Sequence, residues 1–195
     1  MNILVDIDDT TGETQRQALL HINQRSSRPY IFEELTRSFR EGKEKEYDEL
    51  FRDFLQKPEL IGEVKPTKRA LNALQALHGA GHTIHIASAR KEVLHQITED
   101  WLKLHGFADY VHHIHPRQDH EKTEAFKIRV ARDNSILVAF DDTYRVAEAL
   151  SGVGVTTYLI DKPWNQDIPE SNNIVRAEDF YVGVQNFLKG NHAVL

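Results

Sequence analysis

Ile3-Leu4-Val5-Asp6-Ile7-Asp8-Asp9-Thr10 is an apolar run that stops abruptly in three carboxylates. A strand that is apolar at every position, instead of alternating, suits the interior of a parallel sheet covered by helices on both faces. Negative charge gathered at the end of such a strand is costly unless a cation is present. A hard divalent ion accepting carboxylate and carbonyl oxygens would neutralise it, and magnesium keeps further positions for water or a phosphate. The plainer alternative is an acidic helix start, with Asp8, Asp9 or Thr10 as its cap.

Similar runs recur along the chain: Thr83 to Ala87, Tyr110 to Ile114, Ile136 to Phe140 and Val155 to Ile160. Amphipathic helices are predicted between them. Thr67 to His78 carries Leu71, Leu74 and Leu77 and stops at Gly79 and Gly81; Glu92 to His105 carries Val93, Leu94, Ile97, Trp101 and Leu104; Arg145 to Leu150 is a shorter version. Strands alternating with helices imply right-handed crossovers, hence an α/β, doubly wound parallel (Rossmann-like) sheet of about five strands. The stretch 11–64 breaks the alternation with helical periodicity alone. Phe32, Leu35 and Phe39 share one face, and Leu50, Phe51, Phe54 and Leu55 form a second stripe beyond the charged run Glu41 to Glu46. Residues 1–10 and 65–195 are therefore expected to form the core domain and 11–64 a small helical cap inserted after the first strand. Its aromatics serve mainly as a small helical core. A cap so placed would sit above the carboxyl ends of the strands, where open α/β sheets bind ligands, so that Tyr30, Phe32, Phe51 or the later Trp164 could line a substrate pocket.

Composition narrows the functional classes. A chain of 195 residues, 40% of them hydrophobic, can bury one sizeable core. The net charge of −6 argues against general nucleic-acid binding, which draws on a basic stripe. Without cysteine there are no disulfides, thiol nucleophiles or thiolate metal sites, which suits a reducing cytosol. No apolar run approaches the roughly 20 residues that span a bilayer, and Met1-Asn2-Ile3 leads straight into a strand. A cytoplasmic protein is expected, and a homodimer is compatible with all of this.

Two further strand ends complete the chemistry. Val138-Ala139-Phe140-Asp141-Asp142 again runs from apolar residues into carboxylates, and Ile84 to Ala87 delivers Ser88, Ala89 and Arg90 to the same edge. A hydroxyl and the first amides of a following helix suit a phosphate oxygen. In this pattern the chain resembles the haloacid dehalogenase superfamily of phosphatases over most of its length. The first motif is matched by Asp6, Asp8 and Thr10, the second by Ser88, and the fourth by Asp141 and Asp142. The third is a lysine before the acidic pair, matched by Lys122 or Lys127. Lys122 is preferred, because its longer spacing to Asp141 resembles polynucleotide 3'-phosphatase members, whereas Lys127 resembles others.

The resemblance implies Asp6 as the nucleophile of an aspartyl-phosphate and Asp8 as proton carrier. It implies Ser88, Ala89, Arg90 and the lysine as phosphate ligands, and Mg2+ held by Asp6, Asp8, Asp141 or Asp142. Asp9 is a bystander where many relatives have glycine. The helical insert, Pro66, Ser88-Ala89-Arg90 and Asp161-Lys162-Pro163-Trp164-Asn165 are similar to 5'(3')-deoxyribonucleotidase-like members, so a small phosphomonoester, first of all a nucleoside monophosphate, is the expected partner. The sequence departs from that subgroup at Thr143 and Tyr144, where an arginine commonly follows the pair. Polynucleotide 3'-phosphates, sugar phosphates and a non-catalytic receiver-like phosphoryl module are the alternatives.

His112, His113, His115 and His120, with Asp119, have the composition of a zinc site but not its spacing, since alternate strand residues face opposite sides. They read as solvated loop histidines. Trp101 reads as core, Trp164 as core or rim, and the tail after Gly190 as a frayed end.

Overall fold

The computed structural model describes residues 1–35, 44–171 and 173–191, the last without its side chain. Six parallel strands make one sheet: β1 (Asn2–Val5), β2 (Thr83–Ile86), β3 (His113–Ile114), β4 (Val138–Asp141), β5 (Thr156–Ile160) and β6 (Ile174–Ala177), in the spatial order β3-β2-β1-β4-β5-β6. The register sets Ile3 beside both Ile84 and Val138, so β1 is central. The order reverses at β1, and Asp6 and Asp141 therefore leave the sheet side by side at its switch point.

Burial explains the unbroken apolar runs. Ile3, Val5, Ile84, Ile86 and Phe140 pack on one face with Leu74 and Leu77 of a helix at Ala70–Gly79 and with Phe180, Val184 and Phe187 of the last helix, Phe180–Asn191. Leu4 and Ala139 pack on the other face with Phe126 and Val130 of the helix Thr123–Asp133 and with Val146 and Leu150 of the helix Tyr144–Ser151. At roughly 1.5–3 kcal/mol per buried aliphatic or aromatic side chain, these two faces supply most of the drive to form the sheet.

Several boundaries differ from expectation. The sheet has six strands, not about five. β6 is an edge strand with Arg176 in its middle, so it lacks the continuous apolar signal. β3 is only two residues long, because Tyr110 and Val111 are held in a turn by donating to the Phe107 carbonyl. The helix expected from Thr67 starts at Ala70. Thr67 instead donates its amide to Thr11 O and its hydroxyl to Thr10 O, and Arg69 takes a left-handed φ of 61°. Glu92–Leu94 is a separate 3-10 turn ahead of the helix His95–Leu104.

Between β1 and β2 lie helices at Thr14–Ile22, Lys45–Phe54 and Pro58–Gly62 and a 3-10 turn at Phe32–Glu34; no strand falls among the described residues there. Ala18, Ile22, Leu35, Tyr47, Phe54 and Ile61 are buried in the same apolar cluster as β1. Phe39 and part of the charged run Glu41 to Glu46 lie outside the described residues. Trp101 is core: it is buried, donates to Val64 O at 2.6 Å and packs against Gly12. Among the described residues, no helix is long and apolar enough to cross a membrane.

Candidate active site

The turn after β1 is wound around one carbonyl. Ile7 O accepts the amides of Thr10, Thr11 and Gly12 at 3.2, 2.9 and 2.8 Å, and Gly12 O accepts the Asp9 amide at 2.7 Å. The Asp8 carbonyl is left without an intrachain donor among the described residues. Asp9 carries the left-handed φ of 62° that the turn needs, a conformation Asp and Asn tolerate better than most residues. Its carboxylate accepts the Gln15 amide at 3.0 Å and anchors the start of the first helix, so it shapes the turn as well as lying beside the motif.

Asp6 and Asp141, at the ends of β1 and β4, share one cation. Lys127 Nζ lies 2.6 Å from Asp6 Oδ1 and 2.6 Å from Asp141 Oδ2, and all three side chains are at most 4% exposed. The lysine brought to the carboxylates is thus Lys127. The preferred Lys122 is exposed and ends at the N-cap of the helix Thr123–Asp133, while Lys127 lies one turn further on, on the buried face with Phe126, Val130 and Ala131. Burial alone would depress the Lys127 ammonium, but Asp141 and Asp6 outweigh it and hold its pKa above the usual lysine value. Burial, together with the charges of Asp141, Asp8 and Asp142, pushes the Asp6 carboxyl well above its usual range despite Lys127.

Asp8 faces the other way. Ser88 Oγ donates to its Oδ2 at 3.0 Å, Thr14 Oγ1 to its Oδ1 at 2.6 Å, and Arg90 grips both oxygens through Nε at 3.1 and 3.2 Å and Nη2 at 2.8 Å. Burial works to raise the Asp8 pKa. The Arg90 charge and the hydrogen bonds from Arg90, Thr14 and Ser88 overcome it and hold the carboxyl below its usual range. Ala89 sits in a bend and Arg90 in irregular backbone ahead of the 3-10 turn, not at a helix N-terminus, and the Arg90 amide donates to Ser88 Oγ at 3.2 Å. Thr14 carried no sequence signal as a partner of Asp8.

Asp142 is held by its neighbours. Trp164 Nε1 donates to its Oδ2 at 2.9 Å, Thr143 Oγ1 to its Oδ1 at 3.3 Å, and Asn165 Nδ2 to its carbonyl at 2.8 Å. Phe32 packs edge-on against Trp164 at 5.7 Å. The fold therefore brings Asp6, Asp8, Ser88, Arg90, Asp141, Asp142 and Trp164 to one sheet edge. A cavity of about 270 Å3 adjoins Asp8, lined among others by Phe51, Leu55, Ala89, Arg90, Lys91, Leu94 and Arg117. Of the aromatics expected at a pocket, Phe51 lines this cavity. Tyr30 and Phe32 line a different one, with Arg16, Leu20 and Glu33.

Four carboxylates, Asp6, Asp8, Asp141 and Asp142, face two cations, Lys127 and Arg90. With all four ionised the cluster would carry an excess of two negative charges in a largely buried place, and its oxygens are the hard donors a magnesium ion prefers. Among the described residues no three histidine or acidic side chains converge on a common point, and Lys127 stands between Asp6 and Asp141. The fit to a divalent cation thus rests on charge and donor type, with the free Asp8 carbonyl as a further ligand. Elsewhere, His115 Nε2 lies 3.0 Å from Nδ1 of the buried His85, and His112 accepts the Ile84 amide, so these two are not merely solvated. His112, His113 and His120 are exposed.

No family model matches the sequence, and no curated protein matches it. Solved structures do match. A haloacid dehalogenase-like hydrolase from Streptococcus pneumoniae superposes with a TM-score of 0.66 at 12% identity, covering 97% of each chain. The chain has the haloacid dehalogenase-like fold. A predicted phosphatase from Clostridium acetobutylicum with the same fold gives 0.66 at 13% identity, covering 100% of this chain and 98% of that one. A predicted phosphoglycolate phosphatase from Haemophilus somnus gives 0.65 at 14%, covering 97% and 96%. In the haloacid dehalogenase-like fold of this chain, the residues read from the sequence as chemical gather at the switch point, and Lys127 replaces Lys122 among them.

Proposed function

We propose that the chain is a magnesium-dependent phosphomonoester hydrolase acting through an aspartyl-phosphate. The observation that carries this reading is the buried Lys127 ammonium 2.6 Å from both Asp6 and Asp141, with Asp8 two residues beyond Asp6 and hydrogen-bonded to Ser88. Asp6 attacks phosphorus in line, and the bond to the leaving oxygen breaks as the acyl phosphate forms. Asp8 enters this step in its carboxylic form, reached when substrate draws Arg90 off its oxygens; it passes that proton to the leaving oxygen, then takes one from the water that cleaves the acyl phosphate and returns Asp6. Lys127 and Ser88 hold the phosphoryl oxygens, since phosphoryl transfer is mainly positioning and charge neutralisation. Magnesium, when bound by Asp6, the Asp8 carbonyl and Asp141 or Asp142, supplies the remaining positive charge. The helices between Thr14 and Gly62 act as the cap that brings Phe51 to the substrate.

Nucleoside monophosphates are the first substrates to test, on the likeness of Ser88-Ala89-Arg90 and Asp161 to Asn165 to deoxyribonucleotidase-like members. Purified protein with magnesium should release phosphate from a panel of nucleoside monophosphates, sugar phosphates and 3'-phosphorylated nicked DNA. Full activity in Asp6→Asn would refute the mechanism.

A further inference from the structure

The cavity beside Asp8 is lined by apolar and charged side chains, with Asp8, Asp9 and Arg52 among the charged ones. Phe51 and Leu55, from the helix Lys45–Phe54 and its end, and Leu94, from the 3-10 turn after β2, supply apolar lining. Lys91 and Arg117 supply cations, and they are neighbours: the two residues pair as a parallel bridge between the segments that follow β2 and β3.

Among the described residues neither charge is paired with a carboxylate. Lys91 has no carboxylate in reach among those residues, and Arg117 donates only to carbonyls, those of Ala89 at 2.7 Å, Glu121 and, more distantly, Gln118. This contrasts with Arg90, whose guanidinium is spent on Asp8. Arg117 is half-buried, so its guanidinium is held in place by the protein before any ligand arrives. A preplaced Arg117 guanidinium and a neighbouring exposed Lys91 ammonium, beside apolar lining, favour an anion attached to an apolar body. The catalytic phosphate belongs at Asp6, Ser88 and Lys127, so the anion these cations meet is a second one. The volume of about 270 Å3 falls just below the roughly 300–1,000 Å3 of ligand pockets, which favours a small body of about one ring.

We infer that the preferred substrates are small phosphomonoesters whose leaving alcohol carries an apolar, ring-sized frame, met by Phe51 and Leu94, and a second anionic group, met by Lys91 and Arg117. This rests on the phosphohydrolase reading above and departs from its first-named substrate, since a nucleoside monophosphate carries no second anion. The second anion can be a carboxylate or a phosphate, because both accept the same donors.

The test compares kcat/KM, with magnesium, for phenyl phosphate, 4-carboxyphenyl phosphate, 1,4-phenylene bisphosphate and phosphoglycolate. One of the two doubly anionic aryl esters should exceed phenyl phosphate and phosphoglycolate by about tenfold to a hundredfold, the worth of a charge-assisted hydrogen bond; which of the two leads identifies the second anion. In Lys91→Met, an exposed position whose substitution leaves the fold intact, the ratio to phenyl phosphate should fall at least severalfold. Arg117→Gln, checked for folding by circular dichroism, should lower the same ratio. Turnover of all four esters without preference, or a preference unmoved by both substitutions, overturns the inference and leaves the phosphohydrolase standing. No turnover of any ester overturns both.

Discussion

Replacing Lys127 by Met tests whether the switch-point charge cluster is organised as described. Lys127 is 2% exposed and donates at 2.6 Å to two carboxylates that are themselves at most 4% exposed. Removing one partner of a buried ion network leaves uncompensated charge, here on both Asp6 and Asp141, and costs about 3–5 kcal/mol. For a domain of this size that lowers the melting temperature by about 6–20 °C, at 2–4 °C per kcal/mol. Lys122→Met is the control. Lys122 is exposed and has no side-chain partner among the described residues, so its loss should stay within about 0.5 kcal/mol. Both variants are unfolded by urea at pH 7 without added metal, and phosphate release is measured with magnesium. The cost of Lys127→Met should shrink as the pH is lowered. The Asp6 carboxyl already sits well above its usual range, and without the ammonium it takes up a proton at still higher pH, which removes the uncompensated charge. If Lys127→Met unfolds within 0.5 kcal/mol of the wild type, or Lys122→Met costs as much, the buried triad is not what holds the strand ends together.

Asp6→Asn should abolish turnover yet raise stability at neutral pH without metal. A carboxyl with a raised folded pKa stabilises only below its ordinary value near 3.9 and loses that contribution as pH rises through the folded pKa, and the amide removes this slope from the urea midpoint. His85, buried and facing His113, His115 and His112, has its pKa pushed down to about 4 by burial first and by those rings second. Its contribution is therefore complete above pH 6.5 and lost as pH falls from 6.5 towards 4, so the wild type should lose up to about 3 kcal/mol over that window and His85→Leu much less, as read by urea unfolding across pH 4–7. Trp164→Phe strips Asp142 of its indole donor and should cost about 1–3 kcal/mol in the same assay. Gly12→Ala sets a methyl 3.1 Å from Val64 Cγ1 and 3.3 Å from Trp101 Cζ2, and should cost about 1–3 kcal/mol in thermal unfolding.

What was readable in the sequence is what burial writes into it. β1 and β4 are covered on both faces, so Ile3-Leu4-Val5 and Val138-Ala139-Phe140 run apolar until Asp6 and Asp141 interrupt them, while β2 and β5 admit the buried His85 and Thr157. β6 lies at an edge and carries Arg176, whose guanidinium donates to the carbonyls of Asn165 and Ile168 and pairs with Asp161; its charge hides the strand. Spacing along the chain favours Lys122 over the Lys127 that contacts Asp6 and Asp141, because spacing does not fix which side of a helix a residue occupies. Helical period does. Lys127 stands three and four residues before the buried Val130 and Ala131, and a lysine in that stripe needs a buried anion. Lys122, ahead of the helix, has no such demand. The cavity wall at Lys91 and Arg117 could not be read at all, since it depends on two loops meeting across the sheet edge.

The same burial that made the strand ends legible also makes them costly. Asp6 and Asp141 end strands whose preceding residues are entirely apolar, so their charges sit where water cannot screen them. Two cations do not balance four carboxylates there, and the fold holds the surplus in place with Trp164, Thr143 and Thr14 instead of letting it reach solvent. Arrangements of this kind lower stability unless a ligand completes them. Magnesium binding should therefore raise the melting temperature with increasing metal concentration, as a ligand of the native state does. In Asp141→Asn, which removes one carboxylate of the surplus and keeps its shape, the rise should be smaller. A metal-independent midpoint in the wild type would mean that the surplus is balanced by protons instead, and the proposed chemistry at Asp6 would lose its driving charge.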